Sequence, residues 1–264
     1  MQTHNEKYIN AAKKAIEFTA SISKEHDYNG QRAYFAYYNK KGKLGGTGLA
    51  LIMTMLYRIA TGDKSYDEYI KGFTRHLLSR MCESGELMGY YIHPAYHNGE
   101  PLVDMTDEER KETFSFYYPG EALLGLGLFM NHFKDDMDLN EEVRQKSKIA
   151  LDWIINERPK LYAELFTELP SDAWLMQAIE EFAHDKEFRK ENYLNFVYTD
   201  AQTMMCHMYR KDETPYLDYE GGYYYNFGDH YYPDGARSEG LVAAYYLAHN
   251  MGEDALAKNF LKAC

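Results

Sequence analysis

Apolar residues along this chain come in two alternating kinds of run, both with the spacing of an α-helix. The first kind is two-faced. Tyr8, Ala11, Ala12, Ala15, Phe18 and Ile22 mark one stripe of a helix over about 5–23, and similar stripes predict helices over about 66–81 and 140–156. In the middle one of these three, Lys71, Arg75 and Arg80 are expected on the solvent side. The second kind of run is apolar nearly all round, the pattern of a helix covered on every side. It occupies about 46–60, with Leu49, Leu51, Ile52, Met53, Met55 and Leu56, and about 119–133. A further helix starts at Asp172, and a long mixed one covers about 187–209. The next runs over about 235–249 with Leu241, Val242, Tyr245 and Leu247 buried, and the last begins near Gly252 and is still running at Cys264.

The helix starts repeat. Gly45-Gly46-Thr47-Gly48-Leu49-Ala50-Leu51, Tyr118-Pro119-Gly120-Glu121-Ala122-Leu123-Leu124, Pro170-Ser171-Asp172-Ala173-Trp174-Leu175 and Asp234-Gly235-Ala236-Arg237-Ser238-Glu239-Gly240-Leu241 each pass from small, acidic or Pro/Gly residues into an apolar helix. Pro119 and Gly120 suit opening positions, where a backbone donor is not needed, and Ser171 or Asp172 can cap. Repetition at irregular intervals predicts stacked helical hairpins with insertions gathered on one face. All-round apolar helices would form an inner ring and two-faced ones an outer ring. The expected fold is therefore all-α, an α/α toroid forming a single domain over residues 1–264, with short β-hairpins in the rim loops. Nine helices leave one unpaired, which points to an open arc or a truncated chain.

Composition sharpens the picture at the rim. The chain holds 26 Tyr and 13 Phe but 2 Trp. Many of these aromatics lie in loops that feed the expected inner helices, among them Tyr34 to Tyr38, Tyr90 to His97, Phe114 to Tyr118 and Tyr219 to Tyr232. Tyr offers a flat apolar face with a hydroxyl, which suits stacking on a sugar ring, and equally suits packing on the helix ends beneath. A net charge of −12, from 29 basic and 41 acidic residues, argues against nucleic acid as a partner. Three cysteines, Cys82, Cys206 and Cys264, do not make a disulfide framework. The N-terminus lacks a signal-peptide pattern, and no run approaches 18 uninterrupted apolar residues. The expectation is a cytoplasmic protein without a membrane partner.

The same rim gathers acid. Glu121, Asp172 and Glu239 lie in or beside the first turns of the repeated helices, and Asp229, His230 and Asp234 precede the last of them. Each carboxylate is explained in part by the helix dipole, worth ~0.3–1 kcal/mol. Together they suggest glycoside chemistry, in which two carboxylates about 5–10 Å apart serve as acid and as nucleophile or base. Asp172, Glu239, Glu121, Asp229 and His230 are thus the catalytic candidates. Trp174, Tyr37, Tyr117, Tyr118, Tyr224, Tyr231 and Arg237 are the substrate-binding ones. Arg237 and Glu239, two positions apart on a helix, project about 200° from one another, so both cannot face one cavity. The structural alternative pairs a buried Arg237 with Asp172 or Glu121. Cys206-His207 is a weak zinc signal without a CxxC partner. Gly45-Gly46-Thr47-Gly48 lacks the Lys-Ser/Thr of a phosphate loop and reads as close helix packing. No GxSxG or HExxH pattern occurs, and no cofactor is expected.

At the four helix starts the chain resembles the six-hairpin toroid superfamily of carbohydrate-active proteins. That group includes unsaturated glucuronyl hydrolases and the N-acylglucosamine 2-epimerase and glucuronyl C5-epimerase types. Gly45-Gly46-Thr47-Gly48-Leu49-Ala50, Phe116-Tyr117-Tyr118-Pro119-Gly120-Glu121-Ala122-Leu123, Ser171-Asp172-Ala173-Trp174 and Ala236-Arg237-Ser238-Glu239-Gly240-Leu241 carry the likeness, across roughly residues 30–250. The resemblance implies an enzyme acting on a glycan or a uronic-acid-containing saccharide, as a hydrolase, epimerase or lyase. A noncatalytic glycan- or peptide-binding toroid is the alternative. A zinc-dependent toroid similar to lanthionine cyclases is a further one, in which only Cys206-His207 echoes the metal ligands.

Overall fold

Side-chain caps set several of the helix boundaries. Asn5 Oδ1 accepts from the Lys7 amide at 2.9 Å and opens α1 (Glu6–Ile22). Asp136 Oδ1 does the same for Leu139 at the start of α5 (Met137–Asn156), and Asp172 Oδ1 for Leu175 at the start of α7 (Ala173–Phe182). The remaining helices are α2 (Leu44–Thr61), α3 (Asp67–Ser79), α4 (Tyr118–His132, with Pro119 in its first turn), the short α6 (Arg158–Leu161), α8 (Glu191–Cys206), α9 (Asp234–Met251) and α10 (Asp254–Ala263). A computed structural model of the protein describes residues 5–38, 41–91, 106, 108, 111, 114–165, 172–212, 214, 216–223 and 234–264. Among the described residues helix makes up 69% and strand 9%, so the class is all-α. The chain divides into two compact units, Met1–Ala163 and Glu164–Cys264.

In the first unit, α2 is the central helix. It packs on α1, α3 and α4, and α4 packs in turn on α5. Leu51, Met55, Leu123, Leu126 and Phe129 are fully buried between them. The crossing of α2 and α4 is close because glycine allows it. A Cβ on Gly48 would lie 2.8 Å from the backbone of Glu121 and Ala122, and one on Gly125 would lie 3.2 Å from the Gly48 carbonyl. By length and apolar composition α2 would reach across a bilayer, but 56% of that stretch is buried inside the fold, as in a core helix. At the far end of α4 the buried Asn140 amide donates to the carbonyls of Met130 and Phe133, both at 2.9 Å, satisfying groups the helix leaves open.

Two small sheets flank these helices. Strands β1 (Lys24–Tyr28) and β2 (Gln31–Phe35) pair antiparallel from Lys24↔Phe35 to Tyr28↔Gln31. Their two-residue turn, Asn29-Gly30, has φ of 53° and 77°, the left-handed pair that a tight hairpin needs. Strands β3 (Tyr37–Tyr38), β4 (Lys41–Lys43) and β5 (Tyr90–Tyr91) form a three-stranded sheet in that order.

The structure corrects the expected exposure of three helices. On α1 the inward residue is Ile16, while Tyr8 and Phe18 are exposed, so the buried face is rotated from the predicted stripe. Arg75 and Arg80 of the α3 region are buried rather than outward. For Arg75 the reason is the first hairpin, which covers that face of the helix, whereas Arg80 is covered by the Tyr91 ring of β5, 4.9 Å from its guanidinium. Gly72 leaves room for the Tyr34 ring, and Arg75 Nη1 donates to the Arg32 carbonyl at 3.2 Å. On α9, Leu241 and Leu247 are buried, but Val242 is exposed and Tyr245 half-buried.

In the second unit α9 packs on α7, α8 and α10, around Leu175, Met176, Ile179, Val197 and Leu241. The long helix expected over 187–209 is divided. A 3₁₀ turn, Lys186–Phe188, comes first, capped by Asp185, and α8 starts only at Glu191.

Candidate functional site

Strand β4 runs directly into α2, and its pairing with β5 places Lys43 opposite Tyr90. The Leu44 amide donates to the Gly89 carbonyl at 2.9 Å, fixing the start of α2 beside that strand. The start of α4 meets the same place. The Tyr90 and Tyr118 rings stand edge to face at 6.3 Å, with Lys41 Nζ 4.8 Å from the first ring and Lys43 Nζ 5.8 Å from the second. The Glu121 carboxylate, in the first turn of α4, is buried against Gly45 in the first turn of α2. A Cβ at Gly45 would occupy the carboxylate's position. Two helix N-termini thus border one buried acid, an electrostatically favourable place for its charge.

Beside this cluster the described residues line a half-open cavity of about 40 Å³. Its polar groups are Glu86, Ser115 and Arg158, and Tyr118, Trp153 and Tyr162 are among its aromatic walls. Glu86, Arg158 and Tyr162 are all buried. The Tyr162 hydroxyl donates to Glu86 Oε1 at 2.7 Å, and Arg158 Nη1 donates to the Phe116 carbonyl at 3.2 Å with its guanidinium over the Phe116 ring at 5.2 Å. Ser115 Oγ accepts from the Tyr118 amide at 3.3 Å, which ties the loop to the helix start. Such a space holds one substituent, a hydroxymethyl or a carboxyl group, with an acceptor on one wall and a donor on another. Sequence reasoning singled out Tyr118 but missed Glu86, Arg158 and Tyr162. Glu86 and Tyr162 lie 76 positions apart in the chain, and no local pattern links them.

Tyr37 is half-buried, edge-on to Phe35 at 5.9 Å, and Tyr117 is exposed and edge-on to Phe116 at 5.3 Å. The remaining candidates belong to the second unit or fall outside the described residues. Asp172 is fully buried, and its carboxylate caps α7 while its amide donates to Asp200 Oδ2 at 3.3 Å. Trp174 follows in the first turn and is half-buried. Arg237 is buried, with its guanidinium over the Tyr223 ring at 5.6 Å, whereas Glu239 is exposed. The first turn of α7 adjoins the second turn of α9: a Cβ on Gly240 would lie 3.4 Å from that of Ala173. Asp229, His230, Tyr224 and Tyr231 lie outside the described residues.

Cys206 is exposed, and the His207 ring bonds the Thr203 carbonyl through Nδ1 at 2.8 Å. Among the described residues, the group that brings three ligand atoms within 4.8 Å is Glu180, Glu181 and His184 at the end of α7. His184 Nε2 lies 3.8 Å from Glu180 Oε1, and burial raises the Glu180 carboxyl pKa above its usual range.

No protein-family model matches this chain, and no curated protein matches it.

Proposed function

We propose that the protein is a carbohydrate-active enzyme built as an α/α toroid, acting on a glycan or a uronic-acid-containing saccharide. The observation that carries this reading is the pair of buried carboxylates, Glu86 and Glu121, at the aromatic start of α4. Aromatic rings, a guanidinium and an acid on one small cavity, with a second buried acid at the adjoining helix start, are the means by which proteins hold sugar hydroxyls and move their protons. The repeated helix starts, paired within each unit through a glycine, support the toroid.

In this scheme Arg158 and Ser115 position a substituent, Tyr90 and Tyr118 offer ring faces, and a carboxylate transfers the proton. The test is a panel of oligosaccharides offered to the wild type and to Glu86→Gln and Glu121→Gln. Turnover by the wild type, lost at least ~100-fold in one variant with its melting temperature preserved, is the expected result. Undiminished activity in both variants, or no turnover of any saccharide, would overturn it.

A second reading, a noncatalytic glycan-binding module, is favoured by the state of Asp172 and Glu239. The first carboxylate caps a helix, and the second faces solvent. Saturable saccharide binding without bond cleavage would select this reading over the enzyme.

A further inference from the structure

Around the Tyr91 ring the first unit buries a positive charge that nothing in the described structure balances. Arg80 is 4% exposed. Its guanidinium lies over Tyr91 at 4.9 Å, its Nε donates to Ser79 Oγ at 3.3 Å, and its Nη1 is buried without an acceptor. No carboxylate lies within ion-pair distance of it among the described residues. One turn earlier on the same side, His76 is fully buried between Phe35, whose ring it stacks on at 5.0 Å, and Tyr91, whose ring it meets edge-on at 5.5 Å. His76 Nδ1 is hydrogen-bonded to His26 Nε2 at 2.9 Å, while its Nε2 is buried without a partner. Two unsatisfied nitrogens on neighbouring side chains therefore border one aromatic ring.

An arginine cannot discharge itself by losing its proton, so beyond what the Tyr91 ring face contributes its burial calls for a counter-charge or hydrogen-bond acceptors. The large majority of buried polar groups in proteins are satisfied, so an orphan guanidinium nitrogen beside a second orphan nitrogen points to a partner. We propose that Arg80 and His76 form a binding site for a small oxyanion of the carboxylate or phosphate type. The guanidinium supplies the permanent charge and a planar pair of donors. His76 Nε2 adds a third donor once it carries a proton, which the adjacent anion favours. Neither Arg80 nor His76 lines the cavity at Glu86 and Arg158, and the proposal does not depend on the carbohydrate reading.

The experiment follows thermal unfolding of the full chain at constant ionic strength, with sodium phosphate or acetate replacing chloride. The wild type should gain about 4 °C in Tm at ten times the Kd of the preferred anion, with saturation. Arg80→Met, which replaces the charge with an apolar side chain, should be at least as stable as the wild type in chloride and should show no gain with either anion. His76→Gln should keep the phosphate or acetate response but bind more weakly. The proposal is overturned if neither anion shifts the wild type, if Arg80→Met responds as the wild type does, or if Arg80→Met is strongly destabilised in every buffer. The last outcome would show that Arg80 already has its partner within the fold.

Discussion

The two units use glycine for the same purpose and arrive at different tolerances. In the first, Gly48 of α2 faces the backbone of Glu121 and Ala122, so two main chains touch. In the second, Gly240 of α9 faces Met204 Cε at 2.6 Å, Met176 Sδ at 3.0 Å and Ala173 Cβ at 3.4 Å. Backbone cannot yield without moving a helix, whereas a methionine swings away on three rotatable bonds. Close helix approach is thus rigid in the unit that holds Glu86 and Glu121 and adaptable in the other.

Replacing Gly48 by Ala should therefore have the largest effect. Overpacking against α4 should lower stability by about 3 kcal/mol, read as a fall in the urea midpoint, even though alanine is the better helix former. A loss below about 1 kcal/mol would end the distinction between the units. In the second unit Asp172→Ala should lower stability by about 2 kcal/mol, the upper range for a lost N-cap, and Asp172→Asn by much less because Asn also caps. If Asp172→Asn and Asp172→Ala were equally destabilised, capping would not explain this residue.

Acid should single out the first unit. Full burial, with Arg80 and His26 adding to it, holds the His76 pKa well below its usual 6.5. The unfolded chain then binds a proton that the folded chain refuses as pH falls below about 6.5. Stability should decline there by up to about 1.4 kcal/mol per pH unit for this one group. His76→Gln should flatten that slope in phosphate-free buffer, and an unchanged slope would remove His76 from the account. The smallest effect belongs to Gly240→Ala, with a net change within about 0.5 kcal/mol, because helix propensity offsets the displaced methionines.

Local patterns in the sequence were enough for much of this. The apolar run after Gly46 and the Tyr-Pro-Gly-Glu start at Tyr118 located α2 and α4 to within a few residues, because helix periodicity and helix starts are short-range properties. The Asp172 cap and the role of Gly45 to Gly48 in close packing were legible for the same reason. Burial of Arg75 was not, since it depends on a hairpin some 40 residues earlier folding over α3, and burial of Arg80 was not, since it depends on Tyr91 of a separate strand coming to lie on its guanidinium. The α1 stripe failed differently. Tyr8 and Phe18 are apolar and in register, but periodicity cannot say which of two candidate faces the neighbouring helix will cover. For the candidate site, the acid Glu121 and the ring of Tyr118 were visible, whereas Glu86, Arg158 and Tyr162 come together only in three dimensions.

The ribbon of β1 and β2 has one more consequence. A lone pair of strands has little stability of its own in water, so this one persists only through its grip on α3. Its amides at Ala33 and Phe35, both fully shielded, should then exchange with solvent deuterium no faster than those of the helix they rest on. What looks like a surface trimming is in effect the outer wall of a helix, and the two should melt as one.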